Sequence, residues 1–207
     1  MKKWINKNFD NISIIILLSS AIIIGINLFK QIKSPLLTLL GCILAIIGIL
    51  MTTINIRNAM PKRGFRYVVS DKRKNVYSKF PTRSSINSAG YDFYSNDDYD
   101  IEPNAIVKIW TDLKAYMQPD EFLMLNVRSS MGGKFMLANT IGIIDSDYYS
   151  NPDNDGNIGI FLKNISDKTL HIARGDKIAQ GIFLKYLKID GDNTTGTRQG
   201  GFGSSGK

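Results

Sequence analysis

Residues 105–113, AIVKIWTDL, alternate between apolar and polar side chains over much of their length. Val107, Ile109 and Leu113 fall on one parity, whereas Lys108 falls on the other. Because successive side chains of a β-strand point to opposite faces, this period of two predicts a half-buried strand.

Other segments of similar length extend this pattern through the second part of the chain. They are FLMLNVRS (122–129), NIGIFLKN (157–164) and IFLKYLKI (182–189), and the turn-rich pieces NDDYD, PDNDG and ARGD separate them. No long amphipathic helical pattern follows residue 66. The sequence therefore predicts an all-β sandwich or barrel.

The last segment, 191–207, is rich in glycine and polar residues, and only Phe202 is a large apolar residue. We expect no packed strand here. Its end, GFGSSGK, matches the start of a phosphate-binding loop, but such a loop needs a strand before it and a helix after it. Composition alone favours a linker-like tail, although its amides and lysine could still wrap a phosphate.

The formal charge of +8 lies in the first 66 residues, because Lys/Arg and Asp/Glu are equal in number from Tyr67 onward. Basic residues there flank two uncharged runs, 12–29 and 35–56. This arrangement is typical of membrane-topology signals and disfavours a nucleic-acid-binding patch, which would spread over the folded domain.

The two uncharged runs would reach roughly 27 Å and 33 Å as helices, close to the ~30 Å hydrocarbon core. We therefore predict a two-span transmembrane hairpin over residues 1–63, with the lipid bilayer as a partner. A cleaved signal peptide and two buried core helices are the alternatives. The predicted location is a multi-pass membrane protein with its catalytic domain in the cytoplasm.

The chain contains one cysteine, Cys42, and one histidine, His171. Cys42 lies in the second uncharged run, so neither a disulfide nor a thiolate nucleophile is expected in the later part. A metal site with several histidines is excluded.

Residues 139–149, NTIGIIDSDYY, place Asp145 and Asp147 directly after an apolar run. From this stretch alone, Asp145 and Asp147 are compatible either with a turn or with a functional site. Four more short segments decide between these interpretations.

In chain order, the five segments are SAGYDF (88–93), VRSSMG (127–132), residues 139–148, RGDKIAQ (174–180) and RQGGFGSSG (198–206). Together they resemble the five ordered motifs of the trimeric dUTP diphosphatase (dUTPase) family. The resemblance covers about residues 64–207. It implies a jelly-roll-like β-barrel over 64–190, a flexible arm over 191–207 that closes the site, and a homotrimer that shares its active sites.

The resemblance also implies an activity, the hydrolysis of dUTP to dUMP and pyrophosphate by water attack on the α-phosphorus. This reaction limits uracil in DNA and supplies dUMP. Asp145 would orient and deprotonate the water, with Gln180 nearby. Asn139 would read the uracil edge, and Tyr148 would lie against the deoxyribose.

Further residues are implied to hold the triphosphate and to close the site. Arg128, Ser129 and Ser130 would bind the phosphates, while Arg198, Phe202, Gly203, Ser204 and Ser205 would cover the substrate, with Phe202 stacked on uracil. Mg²⁺ is implied as the ion that bridges the phosphate oxygens. Asp92 would either reach a metal-bound water or merely support the site.

The chain departs from the family pattern at three places. The segment after Tyr148 is longer than the usual connection, Ser130 stands where glycine is common, and three residues rather than four separate Arg198 from Phe202. The last departure puts the register of Arg198 in doubt.

Two alternative functions belong to different classes. A dCTP deaminase of the same fold would need a glutamate where this chain has Phe161, and a second arginine where Gly132 and Gly133 stand. A membrane-bound regulator that only senses dUTP would have no need of the carboxylate of Asp145. Hydrolysis of dUTP to dUMP and pyrophosphate is therefore the predicted function.

Overall fold

The structure is a computed structural model that describes residues 22, 25–26, 35–198 and 200–201, with the backbone alone at 35–38, 40 and 57–59. The chain divides into two compact units, Met1–Pro61 and Lys62–Lys207. The first unit contains the helix α1, Pro35–Ala59.

No helix among the described residues is long and apolar enough to cross a membrane. The helix α1 overlaps the second predicted span, 35–56. The predicted multi-pass membrane location is therefore wrong, and the lipid partner is unsupported. The first predicted span, 12–29, lies outside the described residues except at three positions.

The second unit is built from strands, as the alternating pattern predicts. In chain order they are β1 (Gly64–Tyr67), β2 (Tyr91–Tyr94), β3 (Tyr99–Ile101), β4 (Ile106–Trp110), β5 (Leu113–Tyr116), β6 (Glu121–Asn126), β7 (Phe135–Leu137), β8 (Gly142–Asp145), β9 (Gly159–Asn164), β10 (Leu170–Ile172) and β11 (Lys177–Lys185). The all-β prediction is confirmed for this unit.

All the paired strands run antiparallel. The largest sheet has the order β2-β11-β6-β8, and a second sheet has the order β4-β9-β7. Two further pairs, β1-β5 and β10-β3, complete the described strands. The long strand β11 thus lies inside the sheet that carries the first, third and fourth motifs, and the second motif directly follows β6.

The core arises from strict alternation within these strands. In β6 and β9 every second side chain is buried. Leu123 of β6 and Leu162 of β9 belong to one apolar cluster with Phe93 and Ile178, and all four are completely buried. Burial of such side chains stabilises the fold and holds the strand ends rigidly.

The opening segment 105–113 forms two strands rather than one. The strand β4 ends at Trp110 and β5 begins at Leu113. Between them Asp112 has a φ of 55°, and its buried carboxylate accepts hydrogen bonds from the amides of Lys74 and Asn75 at 2.9 and 2.8 Å. The side-chain parity predicted the burial, but it did not predict the turn that Asp112 stabilises.

A buried ion pair fastens residues 151–157, which we name the 151–157 loop, to the strand β5. The Nζ of Lys114 lies 2.7 Å from both carboxylate oxygens of Asp155, and the side chains are 9% and 13% exposed. Asp155 also accepts from the amide of Val69 at 2.8 Å. Burial alone would raise the pKa of Asp155, but these hydrogen bonds outweigh burial and lower it.

Replacing Asp155 by Asn should lower the free energy of unfolding by about 3 kcal/mol at pH 7, because Lys114 would remain buried without its counter-ion. Since the folded-state pKa of Asp155 lies below its unfolded value, this stabilisation is complete above about pH 4 and is lost as the pH falls through the folded-state value. Urea unfolding of both proteins between pH 7 and pH 3 measures the difference. The exposed pair Asp120–Lys185 provides the control, and Asp120→Asn should barely change the unfolding midpoint. A difference that persists undiminished at pH 3 would contradict this account.

Candidate active site

Asp145 ends the strand β8, which the neighbouring strand β6 holds in register. Phe122 lies opposite Asp145, and Leu125 lies opposite Gly142. A Cβ atom added to Gly142 would lie 3.0 Å from the Cβ of Leu125, so glycine allows the two strands to pack closely. The apolar run of the third motif is therefore a short, well-packed strand that positions a carboxylate at its end.

Arg198 connects the arm to both acids of the third motif. Its Nη2 donates to Asp145 at 2.5 Å, and its Nε donates to Asp147 at 2.7 Å. The arginine side chain is only 15% exposed, whereas the two carboxylates are about half exposed. Asp147, which the sequence left between a turn acid and a site residue, is thus a second anchor for the arm.

Tyr148 is buried behind these acids, with 5% of its surface exposed. Its hydroxyl donates to the carbonyl of Asn157 at 2.9 Å and accepts from the Nδ2 of Asn154 at 2.8 Å. Burial raises the pKa of the Tyr148 hydroxyl, so it stays protonated at neutral pH. The two hydrogen bonds hold the hydroxyl end of the ring, and the covalent link to the backbone holds its other end.

These residues line one cleft of about 490 Å³. Asn139, Asp145, Tyr148 and Arg198 contribute to its walls together with Phe161. A cleft of this size with apolar side chains and a few polar groups in its walls suits a nucleoside. The structure therefore brings together the residues predicted for the base, the sugar and the attacking water.

Arg128 belongs to a different group, which centres on Asp92 of the first motif. Asp92 accepts from the Nε of Arg128, from the Nζ of Lys177 and from the hydroxyl of Ser84, each at 2.8 Å. Burial would raise the pKa of Asp92, but the two cations and the hydroxyl together lower it. Asp92 stays ionised at neutral pH and holds the Arg128 guanidinium in place.

The prediction for Asp92 as an indirect metal ligand stays untested. Both of its carboxylate oxygens already accept hydrogen bonds from Ser84, Arg128 and Lys177. Within the described residues, no group of three metal-ligating side chains comes together. The side chains around Asp92 therefore do not form a site that would bind a metal ion without the substrate.

Gln180 lies in the central strand β11, opposite Asp92 on one side and Asn126 on the other. A Cβ atom added to Gly90 would lie 2.6 Å from the Oε1 of Gln180, so the first motif passes directly beside this side chain. Because Arg128 follows Asn126 by two residues, Gln180 lies near the end of the sheet that leads to Arg128.

Ser129 and Ser130 follow Arg128 in a short 3-10 turn, and both are exposed. Arg128, Ser130 and Lys177 line a second cleft of about 440 Å³, together with Lys134 and His171. This cleft carries the cationic and hydroxyl groups suited to phosphate oxygens.

Asp145 and Arg128 lie toward opposite ends of the β6–β8 pair. Asp145 is opposite Phe122, whereas Arg128 comes six residues after Phe122 along the chain. At about 3.3 Å per extended residue, this separation is roughly 20 Å. The carboxylate of Asp145 and the guanidinium of Arg128 are therefore well separated within one chain.

The remaining predicted residues, Phe202, Gly203, Ser204 and Ser205, lie outside the described residues. Sequence reasoning missed the roles of Lys177 and Asn154. Lys177 lies inside the fourth motif, next to the residues that were assigned, and its charge was a usable signal. Asn154 lies in the segment recognised as longer than usual, but a contact to Tyr148 leaves no mark in a single sequence.

Comparison with known proteins identifies the class to which this fold and these clefts belong. A sequence model of dUTPase matches residues 76–206. The chain therefore belongs to the dUTPase family, and this part of the prediction is confirmed.

Individual relatives agree with this assignment. The chain is 42% identical over 151 residues to the deoxyuridine 5'-triphosphate nucleotidohydrolase of Lactococcus lactis, with 71% of this chain and 99% of the relative covered. It is 34% identical to the enzyme of the same name from fowlpox virus, with 68% and 94% covered. The crystal structure of the Streptococcus mutans dUTPase is 38% identical, covers 62% of this chain and 99% of its own, and gives a TM-score of 0.55.

Proposed function

We propose that the chain hydrolyses dUTP to dUMP and pyrophosphate. Residues 64–190 form the catalytic barrel, and residues 191–207 form an arm that covers the substrate. The observation that carries the proposal is the placement of Asp145 at the end of a rigid strand, on the wall of the cleft that also holds Asn139 and Tyr148.

In this proposal Asp145 accepts a proton from the water that attacks the α-phosphorus. Asn139 pairs with the uracil edge through its amide, and Tyr148 lies against the deoxyribose. The substrate phosphates compete with Asp145 for the guanidinium of Arg198, since Arg198 pairs with the carboxylates of Asp145 and Asp147. Transfer of Arg198 to the phosphates frees the carboxylate of Asp145.

Arg128 and the Ser129–Ser130 turn bind the phosphates, with Gln180 beside them. Because Arg128 and Asp145 are separated by roughly 20 Å within one chain, the proposal requires these groups to come from different chains. A homotrimer with closed symmetry supplies this arrangement three times. Light scattering of the full chain should then give the mass of a trimer.

We include Mg²⁺ as an ion that enters with the triphosphate. The described side chains do not gather three metal ligands, whereas adjacent phosphate oxygens commonly bind this ion. A phage φ11 dUTPase structure of the same fold, 21% identical with a TM-score of 0.50, describes a structural Mg(II) ion in that protein. Bound to dUTP, the ion would offset the charge of the phosphate chain.

The deaminase alternative is not favoured, because Phe161 lines the nucleoside cleft and its ring cannot transfer a proton. The test incubates the full chain with Mg²⁺ and either dUTP or dCTP, and measures pyrophosphate and ammonia. We expect pyrophosphate from dUTP alone. Ammonia from dCTP would establish the deaminase, and dUTP binding without pyrophosphate release would establish a sensor.

A further inference from the structure

Hydrogen bonds between its own side chains and backbone amides shape the 151–157 loop. The Oδ1 of Asn151 accepts from the backbone amides of Asp153 and Asn154 at 3.1 Å each. Gly156 has a φ of +79°, and an added Cβ atom would lie 2.7 Å from the carbonyl of Tyr148. Asparagine turns and a glycine with positive φ therefore fold this segment tightly against Tyr148.

Two buried anchors join this loop to the barrel. One is the ion pair between Asp155 and Lys114. The other is a reciprocal pair, in which Asn157 donates to the carboxylate of Asp112 at 2.9 Å and accepts from the Asp112 amide at 3.0 Å. The loop is therefore a rigid support rather than a loose connection.

This support ends on the hydroxyl of Tyr148. The hydroxyl uses its hydrogen on Asn157 and a lone pair on Asn154. The amide orientation of Asn154 is determined, because its Oδ1 accepts from the backbone amide of Gly156 at 3.0 Å and leaves Nδ2 as the donor. A tilt of the tyrosine ring would break bonds to both asparagines.

The arm contacts the same pair of side chains. A Cβ atom added to Gly201 would lie 3.1 Å from Cε2 of Tyr148 and 3.2 Å from Nδ2 of Asn154. The glycine thus allows the arm to lie directly on the Tyr148–Asn154 pair. Displacement of Asn154 would change both the ring position and the surface on which the arm lies.

We propose that Asn154 is a positioning residue for sugar specificity, which holds the Tyr148 ring where a 2′-hydroxyl has no room. This inference rests on the proposed function, in which Tyr148 lies against the deoxyribose. A ring that is free to tilt would admit ribose, whereas a ring fixed by Asn154 rejects it. Asn154 acts through Tyr148 and does not touch the substrate.

The test compares kcat/KM for dUTP and for UTP in the full chain with Mg²⁺. Asn154→Ala should lower the dUTP/UTP ratio about tenfold, the effect of one buried hydrogen bond. Tyr148→Phe removes the same bond from the other side and should lower the ratio at least as much. In the Tyr148→Phe background, Asn154→Ala should have little further effect, because no hydroxyl remains to be held.

Asp155→Asn is the matched control, because it weakens one anchor of the loop and leaves both hydroxyl bonds and the Asn157 anchor in place. We expect it to lower stability while the dUTP/UTP ratio stays within about twofold of the wild type. An equal fall of the ratio in Asp155→Asn, or an unchanged ratio in a folded Asn154→Ala, would overturn the inference. If Asn154→Ala does not fold, an unchanged ratio in Tyr148→Phe overturns it equally. Absence of dUTP hydrolysis in the wild type would instead refute the proposed function.

Discussion

Replacing Asp145 by Asn is expected to reduce dUTP hydrolysis by about a thousandfold or more, because a positioned general base commonly contributes 10²- to 10⁴-fold. Asparagine has nearly the same shape and stays at the end of β8, but it cannot accept the proton from water. The affinity for dUTP should stay within about tenfold of the wild type, since the uracil and phosphate contacts remain. Single-turnover hydrolysis and equilibrium binding of a non-hydrolysable dUTP analogue measure the two quantities separately.

Asp147→Asn is the control for this prediction. Asp147 binds the same arginine through Nε, and it is exposed to a similar degree. Its replacement weakens the arm contact and should cost far less activity than the change at Asp145. Near-normal turnover in Asp145→Asn, or an equal loss in Asp147→Asn, would refute the assignment of Asp145 as the base.

Deletion of residues 198–207 is the second change with a large expected effect. The deletion removes Arg198 and the glycine-rich end of the arm, so the substrate would stay open to water and the phosphates would be held less firmly. We expect turnover to fall by about a hundredfold or more. Among the described residues of this segment, none belongs to the apolar core, so we expect the unfolding midpoint and the oligomeric mass to change little.

Point variants separate the parts of the arm. Phe202→Ala should lower turnover less than the deletion does, because Arg198 and the serines remain. Phe202→Trp should change its fluorescence when a non-hydrolysable dUTP analogue and Mg²⁺ are added. A fully active deletion variant, or a tryptophan signal that ignores the ligand, would return residues 198–207 to the linker interpretation.

The local sequence pattern was sufficient to predict the strands of the second unit and the strand end that carries Asp145. Alternation within 105–113 predicted the burial of Ile109 and Leu113, and the acids after the apolar run predicted the position of Asp145. A strand exposes one face and buries the other, so this information is present in neighbouring residues. The ordered motifs then supplied the family.

Contacts between distant parts of the chain were not predictable in the same way. The pairing of Asp145 with Phe122 separates Asp145 from Arg128, and strand register depends on partners far along the sequence. Asp92 was taken for a possible metal-associated acid, but its role beside two cations emerges only when β2 and β11 are adjacent. The uncharged run at 35–56 was taken for a membrane span, but no helix among the described residues is long and apolar enough to cross a membrane.

The distance between Asp145 and Arg128 has a consequence for how enzymatic activity depends on the assembly of several chains. On the shared-site proposal, a newly made chain is inactive by itself, and activity follows assembly by mass action. Specific activity should then fall on dilution once the trimers dissociate. A defective copy that still assembles would also impair the centres of its neighbours, so that such a defect would be dominant rather than recessive.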